Sequence, residues 1–331
     1  MLKQVFTLIF GACVLLGSLG CSLGRPVVLP VVGSDGLVDG VWDDLDVYLI
    51  DPATGQTRRL TDTPGLMETD PAVNMDRSHV VYVARAVTDG QPVFRAQSEG
   101  LPDSGSAWAG PDNIPSALTV VDVEGLARRV VYRGVGLILS PTWSNKGDRI
   151  AFTELVDGRM RLRVIGADGR GMKNLGYGCY PSWREDDQAV FYSSMDRPDA
   201  REGILHMHRL EEGTFDPLGL RGTGFVNQPG LTSIAYASTA YSRRNEAIWL
   251  LTATNKNPRL TAPTQTDHDI DPVYVGKQGM VVFTRIDDAD GSVRLMSVQR
   301  YTQDRVATPM GQPAAVCYTR GGLWVGRNYP R

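Results

Sequence analysis

Six prolines, Pro71, Pro141, Pro181, Pro229, Pro272 and Pro313, each open a version of the same short phrase. The clearest copies read P-T-W-S-N-K-G-D-R-I-A-F from Pro141 to Phe152 and P-S-W-R-E-D-D-Q-A-V-F-Y from Pro181 to Tyr192. Two others run from Pro71 to Tyr82 and from Pro272 to Phe283, and those at Pro229 and Pro313 are degraded. Successive anchors lie 70, 40, 48, 43 and 41 residues apart. A period near 40 with short alternating strands is the signature of a ring of small sheets, because one unit cannot bury its own apolar faces. The pattern predicts an all-β, six-bladed β-propeller.

Within a repeat, turn chemistry marks four strands, A to D. In the second copy, Pro141–Ser144 is strand A, Arg149–Glu154 strand B, Met160–Ile165 strand C and Met172–Leu175 strand D. Asp157-Gly158 and Asp168-Gly169 lie between them, and Asp-Gly suits hairpin positions that need positive φ. Proline donates no hydrogen bond and is expected at the first residue of strand A. Near the start, Val47–Asp51 and Arg58–Thr61 read as strands C and D alone; from Pro313 through Val325 the chain reads as A and B alone. Two strands from each end are therefore expected to close the ring. Residues 86–117 form an insertion, 44–327 the propeller and 328–331 a tail.

The first 20 residues have a different character. Lys3 gives a positive start, Val5 to Leu19 is uncharged and apolar, and Ser18-Leu19-Gly20-Cys21 follows. This is a secretory signal by shape. The last four residues resemble a bacterial lipobox, which implies acylation of Cys21 and a membrane anchor through the N-terminal lipid; a plain signal peptide with an incidental cysteine is the alternative. Ser22 after the cysteine favours the periplasmic side of the outer membrane, with residues 21–43 as anchor and linker. The formal net charge is −3, with no basic stripe, which argues against nucleic-acid binding. Of the body cysteines, Cys179 and Cys317 fall in distant repeats and are expected to be unpaired.

The phrases Leu60–Asp76, Pro141–Phe152 and D-V-Y-L-I-D-P-A-T-G from Asp46 to Gly55 resemble the propeller repeats of TolB and its WD-like relatives. The resemblance covers about residues 44–327 and does not extend to the N-terminal domain of TolB. It implies the repeat type and leaves the activity open. Some relatives carry a serine hydrolase after the propeller, but no G-x-S-x-G follows the repeats here.

In an antiparallel meander, the B–C and D–A connections share one end of the ring. On that face the sequence places Asp70, Arg133, Tyr177, Tyr180, Arg221, Phe225, Tyr241, His268, Asp269 and Asp271, with Trp108 in the insertion, as candidate contacts for a ligand or partner. His206 and His208 alternate on one strand without a third ligand. Asp267, Asp269 and Asp271 alternate and could offer oxygens to Ca²⁺, although they lack the glycine and terminal glutamate of an EF-hand loop. No catalytic residues, metal or other cofactor are assigned. The expected function is non-catalytic binding of a protein or envelope polymer by a monomeric propeller. The alternative is a hydrolase or lyase acting on a glycan or peptide at the channel mouth.

Overall fold

The computed structural model describes residues 29–34, 45–52, 54–86, 115–194, 203–227, 233–240, 245–252, 258–275, 279–300, 307–310 and 316–318. All regular elements there are strands. Sheet I contains β1 (Leu29–Ser34), β2 (Asp46–Ile50), β3 (Thr57–Arg59) and β22 (Val316–Tyr318). Sheet II is β4 (Leu66–Val73), β5 (His79–Ala86), β6 (Ser116–Asp122) and β7 (Arg128–Gly134). Sheet III is β8 (Leu137–Trp143), β9 (Arg149–Val156), β10 (Arg159–Gly166) and β11 (Lys173–Tyr177). Sheet IV runs β12 (Cys179–Trp183), β13 (Ala189–Ser194), β14 (Gly203–Arg209), β15 (Phe215–Asn227), β16 (Ile234–Ser238) and β17 (Ala247–Leu251). Sheet V is β18 (Asp267–Val275), β19 (Met280–Asp287), β20 (Val293–Gln299) and β21 (Thr308–Pro309).

Inner strands pack against one another in turn, β1 on β4, β4 on β8, β8 on β12, β12 on β15 and β15 on β18, and sheet V returns to β22. The result is a propeller arrangement, with apolar clusters sandwiched between neighbouring sheets. Val81, Leu118, Ile138, Trp143 and Phe152 fill the gap between sheets II and III. Phe283, Ile248 and Val298 do the same between IV and V.

Among the described residues there are five hydrogen-bonded sheets where six blades were expected, because β15 is continuous. Its first half pairs with β14 and its second half, from Thr223, pairs with β16. The two halves of sheet IV nevertheless face each other across a core of Leu205, Phe225, Ile234 and Tyr236.

Further expectations are corrected. Closure joins three N-terminal strands to one C-terminal strand, since β1 pairs with both β2 and β22. Leu29–Ser34, read from sequence as linker, is sheet: Leu29, Val31 and Val32 are at most 2% exposed, and Leu29 and Val31 pack toward sheet V. Proline, moreover, does not start strand A. Asp70-Pro71, Ser140-Pro141, Tyr180-Pro181 and Asp271-Pro272 each sit inside a strand, at a register shift. There the missing N–H costs no ladder bond, and the residue before proline takes positive φ, between 49° and 54° in all four. The fourth repeat has the same shift between Thr223 and Val226, with Gly224 at φ 61°. Its anchor is thus Gly224-Phe225, four residues before Pro229, which lies outside the described residues. A Cβ on Gly224 would stand 3.2 Å from Pro272 Cδ, a tight approach, although Asp, Ser and Tyr carry the same positive φ in the other four repeats.

Neighbouring sheets are stitched by repeated bonds. Trp143 Nε1 donates to the Ala72 carbonyl at 3.0 Å and Trp183 Nε1 to that of Thr142 at 3.1 Å. Both tryptophans thus join neighbouring sheets. The Asp187 carboxylate receives the Asn145 and Lys146 amides of the preceding sheet at 2.7 and 2.9 Å.

Candidate functional site

The B–C and D–A connections converge at the end of the ring where Leu66–Asp70 and Asp267–Asp271 begin their strands. Two repeats build this corner in the same way. Leu60 and Thr61 bond through their amides to the Val47 carbonyl, and Leu260 and Thr261 to that of Ile248. Thr61 Oγ1 accepts from Val47 N at 2.8 Å, and Thr261 Oγ1 from Ile248 N at 3.0 Å. The next strand then docks by Glu68 N to the Leu45 carbonyl, or Asp269 N to the Glu246 carbonyl. Glu68 and Asp269 are therefore corresponding buried acids.

Their partners differ. Asp269 pairs across the ladder with Arg285, which donates from Nε at 2.6 Å and Nη2 at 2.8 Å. Burial pushes the Asp269 carboxyl up against the pull of that guanidinium, while Asp269 outweighs burial at Arg285 and raises it. Glu68 lies opposite Ala84 instead. Among the described residues, the cation within 4 Å of it is Arg128, 3.9 Å away. Burial pushes Glu68 up to about 7, with Thr61 opposing and Asp46 adding to the rise.

Next to Asp269, His268 is 3% exposed and joins Glu246, just before β17, to the β19–β20 turn. Its Nδ1 lies 2.6 Å from Glu246 Oε2 and its Nε2 2.9 Å from Asp288 Oδ2. Burial lowers the imidazole pKa, but the bonds and charges of the two carboxylates outweigh it and leave the ring raised. A histidine with both ring nitrogens engaged by carboxylates is a poor general base. Asp70 Oδ1 accepts from Ser140 N at 3.0 Å, tying sheet II to sheet III.

The sequence candidates accordingly separate into two sets. Asp70, Tyr180, Phe225, His268, Asp269 and Asp271 are all at most 6% exposed and belong to packing or ion-pair networks. They are not the surface contacts expected, because strand A starts before its proline and draws them into the ring. Arg133, Tyr177 and Arg221 are exposed at the outer ends of successive D strands. Cys21, Trp108 and Tyr241 lie outside the described residues, as does most of the 86–117 insertion. Cys179 is buried, with its Sγ 3.6 Å from the Ser193 carbonyl oxygen. Asp267 and Asp269 both face Arg285, at 3.8 and 2.6 Å, so these carboxylates already have a cation. Among the described residues no group of three or more His, Cys, Asp or Glu side chains is placed to hold a metal.

The sequence reading also missed one buried network. Glu154 on β9, fully buried, receives Arg163 Nη2 at 2.9 Å and the Val135 amide at 3.1 Å. Tyr132 O–H stands 3.4 Å from it. The available signal was the alternation Arg159-x-Arg161-x-Arg163, which places three cations on one face of β10.

No protein-family model matches the sequence, and no curated protein does either. Solved structures do. A putative TolB from Agrobacterium tumefaciens superposes with a TM-score of 0.60 at 13% identity, covering 86% of this chain and 88% of that one. TolB from Acinetobacter baumannii gives 0.65 at 14%, covering 88% of this chain and 65% of that one. The fold is a TolB-like β-propeller. A puromycin-hydrolysing peptidase from Mycobacterium tuberculosis shares it at TM-score 0.53 and 17% identity, over 87% of this chain and 45% of that chain. At these identities the likeness concerns the fold alone, and one propeller fold serves unrelated activities.

Proposed function

We propose that this protein is a non-catalytic binding propeller of the bacterial cell envelope, anchored by a lipid on Cys21, that holds a protein or envelope polymer on its B–C and D–A face. The observation that carries this reading is the state of the titratable groups there. His268, Asp269 and Asp70 are each closed into internal bonds, whereas Arg133, Tyr177 and Arg221 present unburied side chains at three successive corners. Similarity to TolB structures supports an envelope location. Sheet IV is then two blades sharing one strand, which gives six blades around a monomeric ring.

One observation favours a second reading. The Glu68 carboxyl, raised to about 7 by burial, has the poise of a general acid or base, and the structural neighbours include a peptidase and an oligogalacturonate lyase. The two readings are separated by placing a photo-crosslinking residue at position 221 in intact envelopes, with position 146 on the opposite face as control. A discrete adduct from 221 alone supports binding. No adduct, together with turnover of a glycan or peptide panel that Glu68→Gln abolishes, overturns it. Failure of labelled palmitate to enter the wild type, or equal entry into Cys21→Ala, removes the lipid anchor.

A further inference from the structure

The three arginines of β10 alternate with Met160 and Leu162, which are buried. Cross-strand pairing fixes their surroundings. Glu154 lies opposite Arg161, and Arg161 lies opposite Tyr177 on β11. Glu154 also binds the Val135 amide and approaches Tyr132 O–H on sheet II, so this face of sheet III looks toward sheet II. An inter-sheet groove follows, floored by Glu154, Arg163 and Tyr132 and opening outward past Val135, Arg161, Arg159 and Tyr177.

Charge along the groove is unbalanced. Arg163, with a side chain 16% exposed, is neutralised by Glu154 at 2.9 Å and also donates to Tyr132 O–H at 3.2 Å. Arg161 is 34% exposed, and its carboxylate within 4 Å is Asp157, 3.9 Å away and 72% exposed. So loose a surface pair contributes little. Arg159 rests over the Tyr177 ring at 5.7 Å and donates to its hydroxyl at 3.3 Å. That contact orients the guanidinium without neutralising it. Beside these cations, Val135 is 63% and Tyr177 58% exposed.

We propose that this groove docks an extended acidic polypeptide segment, with carboxylates at alternate residues on Arg159 and Arg161 and an apolar side chain on Val135. The spacing decides the class of partner. Arginines two residues apart on one strand repeat every ~6.7 Å, the same repeat at which an extended peptide presents residues i and i+2. Guanidinium forks match carboxylates in planar geometry. The exposed valine has no counterpart on a purely charged polymer, whereas a peptide supplies one from its own alternation. The inference rests on the binding reading above and shares Tyr177 with it, but its arginines lie on β10 of sheet III, apart from position 221 on sheet IV, so either can fail alone.

The test is fluorescence anisotropy on the folded protein with a labelled peptide, Glu-Thr-Glu-Thr-Glu-Val-Glu-Thr-Glu-Thr. Comparators are an isomer with its five glutamates contiguous, polygalacturonate, and phosphatidylglycerol vesicles at matched charge. The alternating peptide is expected to bind at least about 5-fold tighter than its isomer and to weaken with added NaCl. Arg159→Ala and Arg161→Ala should each weaken it about 5–10-fold with unchanged thermal unfolding, and Lys146→Ala on the opposite face should not. Absence of peptide binding, wild-type affinity retained by both arginine variants, or tighter binding of polygalacturonate or vesicles through the same arginines would overturn the assignment.

Discussion

Glu68 and Asp269 occupy the same corner of two repeats, and they show how one fold position acquires different chemistry. Both follow a Leu-Thr pair, both dock through a backbone amide to the preceding sheet, and both are fully buried. Across the ladder, however, Asp269 meets Arg285 where Glu68 meets Ala84. The Asp269 corner is a bidentate ion pair; the Glu68 corner is a buried acid whose neighbour Asp46 raises it further. A difference at a single opposing position thus turns a structural lock into a titratable group.

The comparison breaks most severely at the lock. Arg285→Ala should leave Asp269 buried without its guanidinium and cost roughly 3–5 kcal/mol, the usual penalty for breaking a buried pair. Chemical denaturation at neutral pH measures it, and a loss under 1 kcal/mol would show that the pair is dispensable.

Glu68→Gln should act in the opposite direction and depend on pH. The folded carboxyl is raised to about 7 from its ordinary 4.5, so between these values the native state binds more protons than the unfolded chain. Stability from this group is highest below about 4.5, falls as pH rises through 7 and stays low above. The variant lacks that slope: it should match wild type near pH 4.5 and exceed it near pH 8, by an amount on the order of 2 kcal/mol. Parallel stability profiles for the two proteins would remove the raised carboxyl.

His268→Gln supplies a second window. A raised imidazole stabilises the fold fully below its unfolded value near 6.5, and that contribution fades as pH climbs through the higher folded value. The variant should lose roughly 1.5–3 kcal/mol at pH 6 and progressively less at alkaline pH. A pH-independent loss would mean that packing, not charge, is what His268 contributes.

Least affected should be the element that both corners share. Thr61→Val and Thr261→Val each remove a threonine oxygen from a buried backbone amide, at about 1–2 kcal/mol apiece. Similar losses in the two variants would confirm that the frame is common while the acids differ.

Much of the frame was legible because it obeys local rules. Proline restricts its own strand, Asp-Gly permits positive φ, and alternation places Trp143 and Trp183 in the gaps between sheets. The errors arose where a local rule has two solutions. Proline without an N–H suits either the first residue of a strand or a bulge, and the structure uses the bulge. In the fourth repeat Gly224-Phe225 does the same work without proline, which moved the anchor from Pro229. The site was harder to read. Asp70, His268 and Asp271 look like exposed loop residues until the strand is known to begin before them, and the Glu154–Arg163–Tyr132 network joins residues from two sheets.

By itself, then, the sequence determined a ring of small antiparallel sheets, since period, turn residues and apolar alternation are all short-range and repeat along the chain. Only the tertiary structure decided which three N-terminal strands meet one C-terminal strand, that β15 runs unbroken between two pairings, and which acids find a cation. Those outcomes depend on what lies opposite across a ladder or a sheet gap, and residues such as Ala84 and Arg285 declare that only when the chain has closed.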